Sequence, residues 1–309
     1  ALRQKRFGDA FLGGPIAPEF QDEGWTRMIR NLQALKEQAG DVPMEALANL
    51  AQLADFKTME QIRSLVDESV DDPEVASKLK AFYNQFCKRP TFNDDYLATF
   101  NRPNVELVDV SDAKGVDQIT ENGLIANGRE YEVDCIIYAS GFEITSSYER
   151  RIGIPIFGND GQSIYEHWDE GMRSMHGLMS HGFPNLFLCG GLFVFQLGAN
   201  YAYGVDVQAE QVAYTVSQLT KRGVKSANVS RSAEEKWIED QLSPEGANAL
   251  FVLGGSADSC TPGYYNQEGT AQRYRDVRLE SYGKGLGAYR KVLRDWRAQG
   301  DLEGLDLTS

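Results

Sequence analysis

Two short, apolar, β-rich runs that each stop abruptly at glycine constrain this chain most. Val133-Asp134-Cys135-Ile136-Ile137-Tyr138-Ala139 ends in Ser140-Gly141, and Asn185-Leu186-Phe187-Leu188-Cys189 ends in Gly190-Gly191. Runs this apolar suit strands covered on both faces, as in the sheet of an α/β protein. Glycine at a strand's carboxyl end lets a phosphate or ring approach the backbone, and in open α/β sheets that rim is where ligands lie. About ten residues after the second run, Ala202, Val205, Ala209, Val212, Val216 and Leu219 step 3-4-3-4-3 and stop at Lys221-Arg222-Gly223, which predicts a helix. Its N-terminus near Asn200 offers amide donors to an anion. Each glycine end alone also reads as an ordinary strand-to-loop turn. Together, with the helix behind them, they lean towards a nucleotide cofactor.

Before these runs the pattern from Trp25 to Phe86 is helical. Met59, Ile62, Leu65 and Val66 form one apolar face, and Val75, Leu79, Phe82 and Phe86 another. Asp72-Pro73 ahead of the second face is a natural N-cap followed by proline at the first helical position. Val105–Val110 reads as a strand, and Asn122-Gly123 and Asn127-Gly128 as tight turns between short strands. Further helices are expected near Ala233–Leu242 and Leu286–Trp296, the latter ended by Gly300. A Gly-rich aromatic loop, Cys260–Asn266, lies between them.

Charge narrows the partners. Thirty-one basic against 45 acidic residues leave a net −14, which argues against nucleic acid or an anionic membrane surface, both of which need a basic footprint. No apolar run approaches the roughly 20 residues of a membrane helix, and the opening Ala-Leu-Arg-Gln-Lys-Arg is no signal peptide. The four cysteines lie more than 40 residues apart with no Cys-x-x-Cys pair, so a reduced cytoplasmic protein is expected. His167, His176 and His181 form no ligand cluster at helical spacing, and no metal site is expected. They read as surface or internally satisfied residues. No Gly-x-Gly-x-x-Gly follows a strand; Gly283-Lys284-Gly285-Leu286-Gly287-Ala288 has no strand before it.

Several motifs then fall into register. Tyr138-Ala139-Ser140-Gly141-Phe142-Glu143 resembles the Ala-Thr-Gly-Phe-Asp/Glu motif of class B flavoprotein monooxygenases, with Ser140 for the usual Thr. Gly182-Phe183-Pro184-Asn185-Leu186-Phe187 matches a run of the same family. Cys87-Lys88-Arg89-Pro90, Asp95-Tyr96 and Phe100-Asn101-Arg102-Pro103-Asn104-Val105 resemble a block of the Baeyer–Villiger monooxygenases. Order and spacing agree from about residue 55 to 225. The N-terminal FAD motif, the NADPH motif and the family fingerprint between them are not in these 309 residues. The resemblance therefore implies the C-terminal portion of a longer enzyme, cut short or completed by a separate chain.

That resemblance implies an α/β fold, part of a two-dinucleotide-binding (FAD/NADP Rossmann-like) flavoprotein with a helical insertion. Residues 1–87 would be the insertion, 88–138 the end of the NADP-binding domain, and 139–309 the end of the FAD-binding domain. Lys88 would contact the NADP 2′-phosphate. Arg89 would be catalytic, because a permanently charged guanidinium keeps a C4a-peroxyflavin anionic and nucleophilic towards a ketone. Read without the family, the pair caps a helix ending at Phe86. Ser140, Gly141 and Phe142 would lie where both dinucleotides converge, and Gly190, Gly191 and Asn200 would face the flavin. Phe193, Phe195 and Leu197 would line the substrate pocket or simply pack in the core. The implied reaction uses FAD, NADPH and O₂ to insert oxygen beside a small-molecule ketone. Two alternatives stand beside it: a class B enzyme that oxygenates nitrogen or sulfur, and a non-catalytic fragment or interaction module.

Overall fold

A computed structural model describes residues 6–7, 10, 14–21, 23–40, 43–88, 90–141, 148–190, 200–242, 282 and 284–309. Its N-terminal part is a helical block. Helices α1 (Arg27–Ala39) and α2 (Met44–Ser69) pack against each other, with Met28 and Ile29 of α1 and Ala51, Ala54 and Met59 of α2 buried. Polar side chains at the contact satisfy one another: Asn31 Nδ2 donates to Thr58 Oγ1 at 2.8 Å, and Thr58 donates to the Ala54 carbonyl at 2.7 Å. Asp72 caps α3 (Pro73–Leu79) by accepting the amides of Glu74 and Val75.

The expected helix does not continue to Phe86. Lys80 turns to extended backbone, and Gln85–Cys87 is a single 3₁₀ turn. Val75 and Leu79 join Val66, Val70 and Ala76 in a small core, but Phe82 is 78% exposed, under the Arg63 guanidinium. The reason is tertiary: side chains of α2 take the backbone groups of residues 81 and 85 that a longer helix would use itself.

Residues 90–141 hold the short α4 (Tyr96–Thr99) and a three-stranded antiparallel meander. Its strands are β1 (Gln118–Ile119), β2 (Gly123–Ala126) and β3 (Arg129–Glu132). Asn127 and Gly128 both have positive φ, 52° and 72°, as a two-residue hairpin turn demands. The three strands expected at Val105–Val110, Val133–Ala139 and Asn185–Cys189 are not formed. A strand needs a ladder of a neighbour's amides and carbonyls, and among the described residues these runs find only isolated backbone bonds, such as Val133 to Asn122, Asn185 to Ala227 and Leu188 to Leu178.

The remainder closes on its own core. It holds the short α5 (Tyr148–Ile152) and α6 (Ile164–His167), then α7 (Tyr201–Lys221), α8 (Arg231–Leu242) and α9 (Gly285–Gln299), with α7 and α9 packed against each other. Strand β4 (Ser226–Val229) pairs antiparallel with β5 (Leu305–Thr308). Ser163 and Glu166 cap α6 reciprocally, and Gly300 ends α9 in the left-handed region. Met175, Leu178, Met179, Leu219, Val229 and Trp296 make one cluster, and Val207, Trp237, Leu286, Tyr289 and Leu293 another. Cys135 and Cys189 are free, whereas Cys87 is buried and disulfide-bonded. Uniformly reduced thiols do not describe the chain, since spacing is blind to pairings made by the fold. No described helix is long and apolar enough to cross a membrane.

Candidate functional site

The start of α7 organises one end of the site. Asn200 is its N-cap, accepting the Tyr203 amide at 3.2 Å. Tyr201, the first residue of the helix, and Gln208, two turns later, reach back to the glycine that ends the second apolar run. The Gly190 amide donates to Gln208 Oε1 at 3.0 Å, and Tyr201 donates its hydroxyl proton to the Gly190 carbonyl at 2.7 Å. Gly190 has φ 74°, and a Cβ there would sit 3.2 Å from the Tyr201 hydroxyl, so glycine is required on two counts. Both polar groups of its peptide are already engaged. Gly190 can therefore offer a ligand only its Cα surface, and among the described residues beside it the open donors are in the first turn of α7. The amides of Tyr201 and Ala202 carry no hydrogen bond among the described residues.

The arm leading to Gly190 is anchored from below. Asn185 sits at φ 60° and acts as a surrogate strand on the free side of β4. Its amide donates to the Ala227 carbonyl, its Oδ1 accepts the Ala227 amide, and its Nδ2 donates to the Lys225 carbonyl, all at 2.9–3.0 Å. Gly182 donates to Asn228 Oδ1 at 2.9 Å, and Phe183 is buried. The Gly182–Phe187 motif thus builds the scaffold.

Beneath it lies a charge cluster that sequence reasoning missed. Glu234 on α8 is 1% exposed. Its Oε2 accepts from Arg173 Nε at 3.1 Å, and its Oε1 accepts from the His181 amide at 2.9 Å and lies 3.3 Å from His167 Nε2. Burial pushes its carboxyl up, but the His167 and His181 hydrogen bonds and the charges of His167 and Arg173 outweigh it and hold the group below its usual range. His181 Nδ1 meets the Val229 carbonyl at 2.6 Å. His176 is buried edge-on between Trp237 and Trp296, and burial depresses its pKa to about 4. The only signal for the cluster was the histidines themselves. Their partner lies 53 and 67 residues away.

At the other end, Lys88 is exposed, its ammonium 4.9 Å from the centre of the Tyr83 ring. No described carboxylate lies within ion-pair distance of it, which leaves a cation suited to a phosphate. Ser140 and Gly141 are exposed; Gly141 has φ 104°, with no described residue within 4 Å of where a Cβ would stand. The structure joins Gly190 to the start of α7, and no described hydrogen bond ties Lys88 or Ser140 to that pair. Arg89, Phe142, Gly191, Phe193, Phe195 and Leu197 lie outside the described residues, as do Glu143 and the Cys260–Asn266 loop. The α-helix before Lys88 ends at Leu79, and Lys88 instead follows the single 3₁₀ turn Gln85–Cys87 as its C-cap residue, so the cap alternative stands beside the cofactor role.

No family model matches the chain. It is 39% identical over 298 residues to the Baeyer-Villiger monooxygenase ATR8 of Stachybotrys chlorohalonatus, covering 96% of this chain and 46% of that protein. The polycyclic ketone monooxygenase of Thermothelomyces thermophila superposes with a TM-score of 0.76 at 31% identity, over 99% of this chain and 50% of its own. OTEMO in complex with FAD and NADP gives a TM-score of 0.60 at 27% identity, over 82% and 45%. The chain spans about half the length of the curated relatives it matches.

Proposed function

Because the chain belongs to the Baeyer–Villiger monooxygenase family, we propose that the whole protein inserts one atom of O₂ between a ketone's carbonyl carbon and its neighbour. The product is an ester or lactone; the second oxygen atom leaves as water, with NADPH as reductant. FAD supplies the oxygen activation and NADPH the hydride. Residues 1–87, 88–138 and 139–309 then serve as a helical insertion and the ends of the NADP- and FAD-binding domains.

The observation that carries the reading is the pairing of Gly190 with the first turn of α7. The Cα face of Gly190, beside two amides that carry no hydrogen bond among the described residues, accepts a flat ring whose edge becomes negative when reduced. Lys88, exposed and with no carboxylate partner among the described residues, holds the 2′-phosphate of NADPH. Arg89, next in sequence, places a fixed positive charge where negative charge develops on the oxidant, while Ser140 and Gly141 lie at the approach of the two dinucleotides. Phe193, Phe195 and Leu197 exclude water around the ketone. The exposed run Val133–Ala139 pairs with strands contributed by the rest of the enzyme, which cover its apolar side chains.

The test is Arg89→Ala in the intact enzyme. NADPH oxidation should continue, with hydrogen peroxide released in place of ester, and ketone turnover should fall by about 10²–10³. Amines and thioethers run in parallel separate ketone insertion from heteroatom oxygenation. Ketone turnover close to wild type would sink the role given to Arg89, and a preference for amines or thioethers would sink the reaction.

A further inference from the structure

The segment that delivers Lys88 and Arg89 has no α-helix of its own to hold it, yet one stripe of α2 holds it at three points, two on its backbone and one on the Asn84 side chain. Asp55, 3% exposed, accepts the Gln85 amide through Oδ2 at 2.9 Å. Gln52, one turn earlier, exchanges amide hydrogen bonds with Asn84: Gln52 Nε2 to Asn84 Oδ1 at 3.3 Å, and Asn84 Nδ2 to Gln52 Oε1 at 3.2 Å. Arg63, two turns later, donates to the Ala81 carbonyl at 2.9 Å, while Glu60 holds its other nitrogens. Gln85 in turn reaches across to the Gly24 carbonyl at 3.4 Å.

A buried carboxylate is an expensive way to hold one amide, because an ionised group loses its hydration there. Burial pushes the Asp55 carboxyl up to about 6, the Gln85 amide and the Arg63 charge pulling it back only in part. A carboxylate placed at such a cost, and spent on an amide three residues before Lys88, suits a site where geometry matters more than stability. We propose that Asp55, assisted by Gln52 and Arg63, is a positioning residue: it fixes the 81–87 backbone so that the Lys88 ammonium stands where the 2′-phosphate of NADPH arrives. The assignment rests on the role given to Lys88 above and adds what sets that lysine in place. It makes the helical block part of the cofactor site, acting through backbone alone.

The experiment titrates NADP⁺ and NAD⁺ into the intact enzyme by calorimetry, which reads binding without turnover. Asp55→Ala should weaken NADP⁺ about tenfold and NAD⁺ less than about twofold, because only NADP⁺ carries the phosphate. Asp55→Asn, which keeps an acceptor oxygen, should restore NADP⁺ affinity. In a Lys88→Ala background, Asp55→Ala should add nothing further, the coupling expected of residues acting through one contact. If Lys88→Ala weakens NADP⁺ selectively but Asp55→Ala does not, the positioning role is overturned while Lys88 keeps its own. If Lys88→Ala has no selective effect, the reading of Lys88 falls and takes the positioning role with it. Equal weakening of both nucleotides by Asp55→Ala marks a merely structural residue and overturns the proposal. Should Asp55→Ala fail to fold, Gln52→Ala, which severs only the half-buried Asn84 pair, should still weaken NADP⁺ about threefold and spare NAD⁺; its absence also overturns the proposal.

Discussion

Val133–Ala139 and Asn185–Cys189 are both short, apolar, β-rich runs that end at glycine, yet Ile137 is 84% exposed and Leu188 only 5%. The second run lies against Ile164, Trp168, Met172 and Phe183. Its Leu188 amide donates to the Leu178 carbonyl at 2.7 Å, and Asn185 ties its start to β4. The first run follows β3 out of the meander and meets no second sheet among the described residues. The two runs share their apolar, β-rich composition, and only a neighbour decided which of them is buried. The C-terminal unit brings its own neighbours, down to a buried glutamate with its cation. The 90–141 region leaves its apolar side chains for another surface.

The sharpest way to break this contrast is at Glu234. Glu234→Ala leaves Arg173 beside an empty buried site and frees the His181 amide, so urea unfolding should show a loss of about 3–5 kcal/mol. A loss below about 1 kcal/mol would mean that the C-terminal unit does not depend on its charge cluster.

Acid should then separate the C-terminal unit from the helical block, with opposite signs. His176 is held neutral, its pKa lowered from 6.5 to about 4. Its stabilisation is whole above pH 6.5 and is lost as pH falls towards 4, by about 3 kcal/mol. Asp55 is raised from 3.8 to about 6, so it favours folding below pH 3.8 and loses about 3 kcal/mol as pH climbs through 6. His176→Asn should flatten the acid limb of the stability profile, and Asp55→Asn should raise stability above pH 6 but not at pH 4. Unfolding curves from pH 4 to 8 decide it; parallel profiles for wild type and both variants would contradict these burials.

The smallest expected effect tests the contrast directly. Ile137→Ala should shift the stability of the 309-residue chain by no more than about 0.5 kcal/mol, as at an exposed site. Leu188→Ala should cost about 2–5 kcal/mol. In the intact enzyme, the proposed pairing of Val133–Ala139 would make Ile137→Ala costly as well. An equally mild Ile137→Ala there removes that pairing.

Much was legible in the sequence, and for a local reason. Helix α7 from its apolar spacing and Asn200, the cap at Asp72, the Asn127-Gly128 turn and the stop at Gly300 all stand as read. Each depends on groups within about four residues, where backbone sterics and a single hydrogen bond decide the outcome. The family, and with it the two-dinucleotide α/β class, was carried by motifs in register and agrees with relatives and solved structures along nearly the whole chain. Tertiary structure alone decided the rest. It stopped α3 at Leu79 by giving the Gln85 amide to Asp55, and it turned the Gly182–Phe187 motif into a support for β4. It paired β4 with β5, some 80 residues apart, and buried Glu234 among His167, Arg173 and His181. In each case the partner lies far along the chain, so nothing in the local sequence distinguishes a solvated glutamate or an unpaired strand from one that the fold completes.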